Sequence, residues 1–185
     1  MTESVDVHRS SRLFFALWPD LDMRNKLTQF SLSLPLDRFN RVPAHNYHVT
    51  LVFLGQVNSR AEQALKKFAD TIIVEPFSLI FDRISYWTKP RVISLTARQP
   101  AQQAAALAQL LTDAAASCGV QTDSRPYIPH VTLARKVLAF PEKNCHPIVW
   151  PAHSFCLVES CNSREGVIYN VKAQWPRENQ AGDSR

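Results

Sequence analysis

Apolar positions at the start of the chain follow first a strand period and then a helical one. Residues 12–18 form an apolar, aromatic run that closes at Pro19-Asp20, which predicts a buried strand. Asp20 can then cap a helix whose apolar residues recur at helical spacing until Pro35. Residues 47–54 predict a second strand that ends at Gly55, and the capping box at residues 59–62 predicts the start of a second helix.

The rest of the chain continues in the same manner. Residues 77–87 alternate between apolar and polar side chains, which predicts a strand with one solvated face, and the turn at Lys89-Pro90 leads to a partner strand over 91–97. Three more strands are predicted over 128–133, 153–160 and 166–175. A third helix ends near Gly119, and its apolar face consists of Ala104, Leu107, Leu111 and Ala114.

The order of these elements contains a weak internal repeat. In each half an apolar strand and a helix precede a strand that carries a histidine, over 47–54 and 128–133. An α+β layout, with antiparallel sheets and helices on one side, explains this order best. We expect one two-lobed domain over residues 12–175 and mobile polar ends at 1–11 and 177–185.

The two histidine-bearing strands carry almost the same string. Residues 47–51 read YHVTL and residues 129–133 read PHVTL, too far apart along the chain for one local site. Because side chains alternate along a strand, His48 and Thr50 point to one face of a sheet, and His130 and Thr132 do so in the second copy. The spacing suits a duplicated unit in which each half delivers one histidine to a shared centre.

Two histidines at one centre suit acid–base chemistry on a phosphodiester. One group takes a proton from the attacking water, and another, on the opposite side, gives a proton to the leaving oxygen. Histidine suits both roles because its unperturbed pKa is about 6.5. Thr50 and Thr132 offer hydroxyls to the non-bridging oxygens, and Arg135 offers a cation. This scheme needs no metal and no cofactor, and the spacing alone allows either histidine to be the acid.

Each of these residues also has a purely structural interpretation. A single His-x-Thr string is a weak signal because Val-Thr is ordinary strand material, and Arg135 alone would be a solvated charge at a strand end. Two copies at equivalent places favour the functional interpretation. His45-x-x-His48 is a rival metal-binding spacing, but no carboxylate or cysteine lies close to it in sequence, so we predict no metal site.

Three aromatic residues are candidates for stacking on a nucleobase, as aromatic side chains do in proteins that bind single-stranded RNA. They are Trp87, Phe53 and Tyr127. Trp87 is the best candidate because it stands at a strand end beside Lys89 and Arg91. The structural alternative is that all three belong to the core, as most aromatic residues of a small domain do.

Composition adds only weak constraints. The chain of 185 residues has a net charge of +5 and a pI near 9.2, which favours an anionic partner such as RNA without requiring one. Its 4 cysteines form no Cys-x-x-Cys pair, and the first residues lack the apolar stretch of a signal peptide. No run approaches the roughly 18 apolar residues of a membrane span. We therefore predict a reduced cytoplasmic protein without a membrane segment.

The paired motifs resemble those of the two-histidine phosphoesterase superfamily. Within it, the chain is similar to the bacterial and archaeal RNA 2′,3′-cyclic phosphodiesterases, which are also called 2′–5′ RNA ligases. The resemblance runs from about residue 12 to residue 175. It rests on RLFFA at 12–16, NYHVTLVFLG at 46–55 and RPYIPHVTLAR at 125–135, with support from Ser160, Gly166, Tyr169 and Trp175.

The resemblance implies a bilobal α+β fold with pseudo-twofold symmetry, in which two antiparallel sheets face each other across a central groove and helices pack outside. It implies metal-independent hydrolysis of a 2′,3′-cyclic phosphate at an RNA end to a 2′-phosphomonoester. By motif, His48 matches the proton donor to the leaving 3′ oxygen and His130 matches the base that activates water. Thr50, Thr132 and Arg135 match residues that hold the phosphate. The expected partners are RNA with cyclic phosphate ends or cyclic nucleotides.

Two other functions stay open at this level. Reversible 2′–5′ RNA ligation uses the same residues in the opposite direction, so the sequence does not separate it from hydrolysis. A module that binds RNA ends without turnover fits the charge and the aromatic residues, although degenerate relatives would be expected to lose a histidine and this chain keeps both. A monomer suffices in every case because the duplication supplies both half-sites.

Overall fold

A computed structural model describes residues 10–36, 38–99, 101–123, 125–164 and 166–176, which form two antiparallel sheets and three helices. This confirms the predicted α+β class. Of the predicted mobile ends, 1–11 and 177–185, residues 1–9 and 177–185 lie outside the described part of the chain, whereas Ser10 and Ser11 begin the first strand.

The first sheet has the strand order β3-β1-β8-β9 and the second has the order β2-β6-β5-β4-β7. Every pairing between neighbouring strands is antiparallel. The strands are β1 (Ser10–Leu17), β2 (Asn40–Arg41), β3 (Val49–Asn58), β4 (Phe77–Trp87), β5 (Val92–Thr96), β6 (His130–Arg135), β7 (Lys143–Ala152), β8 (Phe155–Ser163) and β9 (Gly166–Trp175). The helices are α1 (Leu21–Leu32), α2 (Ser59–Ala69) and α3 (Gln102–Ser117).

The repeat inferred from the sequence has a structural counterpart. In both sheets a strand, a helix and an antiparallel neighbouring strand follow in order: β1, α1 and β3 in one, and β5, α3 and β6 in the other. His130 is the first residue of β6, and His48 comes directly before β3. Each sheet therefore carries one histidine motif.

The halves of the sequence do not correspond to the halves of the structure. β4 comes from the first half of the chain but joins the second sheet, while β8 and β9 come from the second half and complete the first sheet. Each sheet thus contains strands from both ends of the chain, so neither lobe is a continuous segment. The strand exchange also explains why the repeat is weak in sequence.

β1 divides its side chains between two hydrophobic clusters. Leu13, Phe15 and Leu17 are at most 1% exposed and belong to the main core, which also takes residues from both sheets and all three helices. Phe14 and Ala16 point to the other face and form a second, small cluster with Cys156 and Val158 of β8. The sequence reads as buried throughout this strand because both of its faces are covered.

Helix starts follow the predicted logic, with one correction. The Asp20 carboxylate accepts a hydrogen bond from the Met23 backbone N–H at 2.7 Å, so the predicted cap of α1 is confirmed. The cap of α2 is Asn58, whose side-chain oxygen accepts from the Ala61 N–H at 2.9 Å, and the capping-box assignment to Ser59 was wrong by one residue. Asn precedes Ser here, and both are favoured cap residues.

The end of one strand was predicted wrongly, and two strands were missed. β3 continues to Asn58 instead of ending at Gly55, because Gly55 takes a φ of +68° at a bulge opposite Leu13 and the pairing resumes beyond it. The strands β7 and β2 were not predicted at all. Residues 143–152 show little apolar alternation because β7 is an edge strand with mostly exposed side chains. β2 is only two residues long.

Candidate active site

His48 is held at both ring nitrogens where the chain enters β3. A short 3-10 turn, Ala44–Asn46, places the Asn46 carbonyl 2.7 Å from His48 Nδ1. Nε2 lies 3.1 Å from the hydroxyl of Thr50, two residues further along the same face. Because a carbonyl only accepts, Nδ1 carries the hydrogen and the chemically active nitrogen of neutral His48 is Nε2.

His130 repeats this arrangement at the start of β6. Its Nδ1 lies 2.8 Å from the carbonyl of Ile128, again two residues earlier in the chain. Nδ1 is therefore again the donor, and Nε2 is free to exchange protons. Thr132 follows on the same face and pairs across the sheet with Ser94 of β5. The two motifs thus agree in their atomic anchoring as well as in sequence.

Electrostatic interaction links the two histidines. The positive charge of protonated His130 lowers the pKa of His48, and the guanidinium of Arg135 lowers the pKa of both histidines. Arg135 is exposed at the end of β6. His48, which precedes β3 of the first sheet, is thereby coupled to two residues of β6 in the second sheet.

Burial is the main influence on both histidines. It lowers the pKa of His48 to about 4, and the carbonyl of Asn46 opposes this only in part. It also lowers the pKa of His130, again against a carbonyl contact. Both rings are therefore predominantly neutral at pH 7 in the free protein. A proton donor at this centre needs a nearby anion to become charged.

The three candidate stacking residues have different positions. The Trp87 ring contacts His130 with centroids 4.5 Å apart and planes at 70°. Phe53 is 42% exposed, with the guanidinium of Arg12 at 5.0 Å from its ring centre. Tyr127 instead packs against the main core, and its buried hydroxyl has no hydrogen-bond partner. Burial raises its pKa further above the ordinary value. Trp87 thus lies beside His130 and Phe53 is exposed, whereas Tyr127 is not placed for stacking.

Sequence reasoning did not assign a role to three aromatic neighbours of His48. Trp18 lies parallel to the imidazole, and Phe14 and Tyr169 contact it at larger angles. Phe14 belongs to the string at 12–16 that carries the family resemblance, and Tyr169 is one of its supporting residues, so the sequence did point to both. Trp18 directly follows β1 and continues the alternation of Phe14 and Ala16. An uninterrupted apolar run does not reveal which face of a strand lies against a site.

Asn46 is a further residue that the sequence did not single out. Its backbone carbonyl holds His48, and its side-chain amide donates to the carbonyl of Val167 at 2.8 Å. Val167 lies at the start of β9, so Asn46 ties the turn before β3 to the other edge of the first sheet. Asn46 is only 6% exposed.

The described residues contain no group of three or more His, Cys, Asp or Glu side chains arranged to hold a metal ion. None of the helices formed by these residues is both long and apolar enough to cross a membrane.

Comparisons with known proteins agree on one family. The sequence profile of the 2′-5′ RNA ligase superfamily matches residues 19–161. The RNA 2′,3′-cyclic phosphodiesterase of Escherichia coli (strain K12) is 36% identical over 125 residues, which is 67% of this chain and 71% of that protein. The protein of the same name from Bacillus subtilis (strain 168) is 33% identical over 120 residues, 60% of this chain and 64% of that protein.

Solved structures extend the likeness to the whole fold. The crystal structure of E. coli LigT complexed with 3′-AMP superposes with a TM-score of 0.81 at 30% identity. The superposition covers 90% of this chain and 98% of that one.

Proposed function

The chain belongs to the 2′-5′ RNA ligase superfamily, and on that premise we propose that it opens terminal 2′,3′-cyclic phosphates of RNA with His48 as acid and His130 as base. Relatives from two bacteria are named RNA 2′,3′-cyclic phosphodiesterase, which confirms the predicted enzyme class and reaction. The observation that supports the residue roles is the matched anchoring of the two rings, each with Nδ1 on the backbone carbonyl two residues earlier in the chain.

The proposed reaction is an in-line displacement at phosphorus. His130 Nε2 takes a proton from water as the water oxygen forms a bond to phosphorus. The bond from phosphorus to the 3′ oxygen breaks, and His48 Nε2–H gives that oxygen its proton. The product is a 2′-phosphomonoester beside a free 3′ hydroxyl. One proton enters the base and one leaves the acid, so proton exchange with solvent restores both histidines.

The substrate itself supplies the charge that the acid needs. His48 is neutral in the free protein because burial lowers its pKa to about 4. A cyclic phosphate carries a negative charge, and an opposite charge within about 4–6 Å favours the protonated form of a histidine. Binding of the cyclic phosphate therefore raises the pKa of His48, so that His48 becomes protonated when the substrate occupies the site. The assignment of His48 as the acid, and not His130, follows the family motif.

The remaining predicted residues bind the substrate in this proposal. The hydroxyls of Thr50 and Thr132 donate to the non-bridging oxygens, and Arg135 neutralises the charge that builds up on them. Phe53 stands five residues after His48, as Arg135 does after His130. We assign Phe53 to stacking on the terminal base and Trp87 to the side of the substrate nearest His130.

The wider setting of the enzyme is proposed on the same basis. RNA ends are the substrate class, and one chain supplies both histidines, so a monomer suffices. The cytoplasm stays the predicted compartment.

A turnover assay tests the proposal directly. Purified protein is incubated with 2′,3′-cyclic AMP and with an RNA oligomer that ends in a 2′,3′-cyclic phosphate, with and without excess EDTA. We expect multiple turnover to the 2′-phosphate in both cases and a bell-shaped dependence of kcat/KM on pH. His48→Ala and His130→Ala should each lose most of the turnover, whereas the exposed His153→Ala should not. Loss of activity in EDTA, or full activity in both site variants, contradicts the scheme.

The same assay separates the two alternative functions. If the enzyme is mainly a ligase, RNA halves with a cyclic phosphate and a 5′ hydroxyl will be joined faster than the cyclic end is hydrolysed. If the protein only binds RNA ends, it will release no more than one product per molecule. The superfamily name includes ligase, so the joining assay belongs in the first experiment.

A further inference from the structure

The aromatic rings around His48 have no part in the proton transfers described above. Trp18 follows the end of β1, and its ring lies 5.9 Å from the imidazole centre with the two planes at 17°. Phe14 lies at 5.0 Å with a 42° tilt, and Tyr169 lies at 5.0 Å nearly edge-on at 81°. His48 thus lies in an aromatic enclosure, which we define as Trp18, Phe14 and Tyr169.

This enclosure creates a conflict with the role of His48. Burial against apolar rings favours neutral imidazole, whereas a proton donor must be charged when the leaving oxygen departs. A ring that presents its π face resolves part of the conflict. The face of an aromatic ring is electronegative and attracts a cation that lies within about 6 Å of its centre, most strongly for tryptophan and most strongly away from water. Of the enclosure residues, Trp18 is the one whose plane is nearly parallel to the imidazole.

Other members of the small cluster are better explained by packing. Phe14 is 3% exposed and packs with Ala16, Cys156 and Val158. Trp18 is only partly buried and lies at the margin of that cluster, so core filling does not account for a tryptophan there. Its nearly parallel orientation, with the ring centres of Trp18 and His48 5.9 Å apart, is the feature that distinguishes it.

We propose that Trp18 is a positioning residue for the proton donor, whose π face stabilises the imidazolium of His48 while the substrate phosphate occupies the site. The inference rests on the proposed function and extends it to a residue that has no part in the proton transfers of that scheme. It predicts that the size of the face over His48, more than the hydrophobicity at position 18, sets the pH range in which the acid works.

The charged groups near His48 do not provide this stabilisation. His130 and Arg135, on β6, both disfavour a second positive charge on His48. Tyr169 on β9 contacts the ring with the two planes at 81°. Cys156 on β8 is neutral, because burial raises its pKa to about 12. In the complex the phosphate offsets the charge of Arg135, and Trp18 acts without any charge of its own.

The test compares kcat as a function of pH for the wild type, Trp18→Phe and Trp18→Leu, with 2′,3′-cyclic AMP as the substrate. The acid sets the basic limb of the profile. The free energy of a cation–π contact in a protein, expressed as a change in the pKa of the cation, is about 0.5–1.5 pH units. We expect Trp18→Leu to move the basic limb down by that amount, so that kcat falls about 3- to 30-fold at pH 8.5 and less than about twofold at pH 6. Trp18→Phe should lie between the two.

A matched control removes the ring next to the other histidine. Trp87 contacts His130, so Trp87→Leu should alter the acidic limb and leave the basic limb in place. An equal downward movement of the basic limb in Trp87→Leu and Trp18→Leu would overturn the proposal. So would identical profiles for Trp18→Phe and Trp18→Leu, because their faces differ while both remain apolar.

A second readout does not depend on turnover. With 2′-AMP bound, the NMR titration of the His48 ring should give a lower pKa in Trp18→Leu than in the wild type. Circular dichroism shows whether the variant folds, and Trp18→Phe provides the comparison if Trp18→Leu does not. Absence of wild-type turnover would contradict the proposed function, whereas normal wild-type turnover with an unchanged His48 titration in both variants would contradict this inference alone.

Discussion

The burial of neutral His48 makes the stability of the fold depend on pH in a predictable way. In the unfolded chain the histidine binds a proton at its ordinary pKa of about 6.5, whereas in the folded protein it binds one only near pH 4. Between these values the unfolded state holds more protons than the folded state. The free energy of unfolding therefore rises with pH across this range and falls as the solution is acidified.

The size of the effect follows from the difference between the two pKa values. A difference of about 2.5 pH units at 1.36 kcal/mol per unit is roughly 3 kcal/mol. Most of it, about 2 to 3 kcal/mol, is lost between pH 7.5 and pH 4.5. This is an upper bound because His48 keeps part of its surface open to the site. The total stability of a domain is only about 5–15 kcal/mol, so the loss is large enough to measure.

The perturbation that isolates this contribution is His48→Asn. The shorter amide can still donate to the Asn46 carbonyl but does not titrate. Urea unfolding followed by tryptophan fluorescence at pH 4.5, 5.5, 6.5 and 7.5 gives the free energy for each protein. We expect the wild type to lose about 2 to 3 kcal/mol more than His48→Asn on going from pH 7.5 to 4.5. The lowered pKa of His130 also makes the folded protein less stable in acid. Because His130 is present in both proteins, the comparison of the wild type with His48→Asn removes its contribution.

The matched control is His153→Asn, at an exposed position outside the site. Its stability should follow the wild type at every pH. If wild type and His48→Asn lose stability in parallel, His48 is not held in its neutral form by burial. An NMR titration of the free protein that places His48 near 6.5 would refute the reasoning independently.

Three further predictions concern the substrate contacts. Arg135→Gln should lower kcat by about 10²–10³-fold with little change in folding, measured by single-turnover hydrolysis of cyclic-phosphate RNA, because it removes the cation from the reacting oxygens. Phe53→Leu should lower kcat/KM for RNA ends by about 5- to 150-fold, because it removes the ring that stacks on the terminal base. The loss should be larger with adenosine 2′,3′-cyclic phosphate than with ribose 2′,3′-cyclic phosphate, which has no base, and a smaller loss with adenosine 2′,3′-cyclic phosphate would contradict a stacking role. Asn46→Ala should lower kcat about fivefold, because it removes the side-chain hydrogen bond to Val167 and frees the turn whose carbonyl, at position 46, holds His48 Nδ1. ¹⁵N NMR should then detect both neutral tautomers of His48 in place of one.

The sequence by itself determined the elements that carry chemistry. Alternation in strands placed His48 with Thr50 and His130 with Thr132, and the observed contact between His48 and Thr50 agrees with this. The repeat and the α+β class were equally accessible because they depend on local periodicity. The family was recognised from three short strings, two of which carry the paired histidine motif.

Several features of the site depended on the tertiary structure alone. Strand pairing is decided by the burial of distant segments, so no local pattern indicates that β4 joins the second sheet or that β8 and β9 join the first. The contact of Tyr169 with His48, and that of Asn46 with Val167, are consequences of those pairings. β7 was missed for the same reason, because an exposed edge strand is stabilised by hydrogen bonds to the neighbouring strand β4 and not by an apolar pattern of its own.

The histidines show the same division at the level of single atoms. Their residue type and spacing suggested two proton-exchanging groups, but the protonation of each depends on what surrounds it in space. The aromatic enclosure of His48 is assembled from β1, the residue that follows it and β9, and burial separates the pKa of His48 from that of a free histidine. The dielectric environment of a side chain is a property of packing, so the sequence pointed to the two histidines and the fold determined how they are charged.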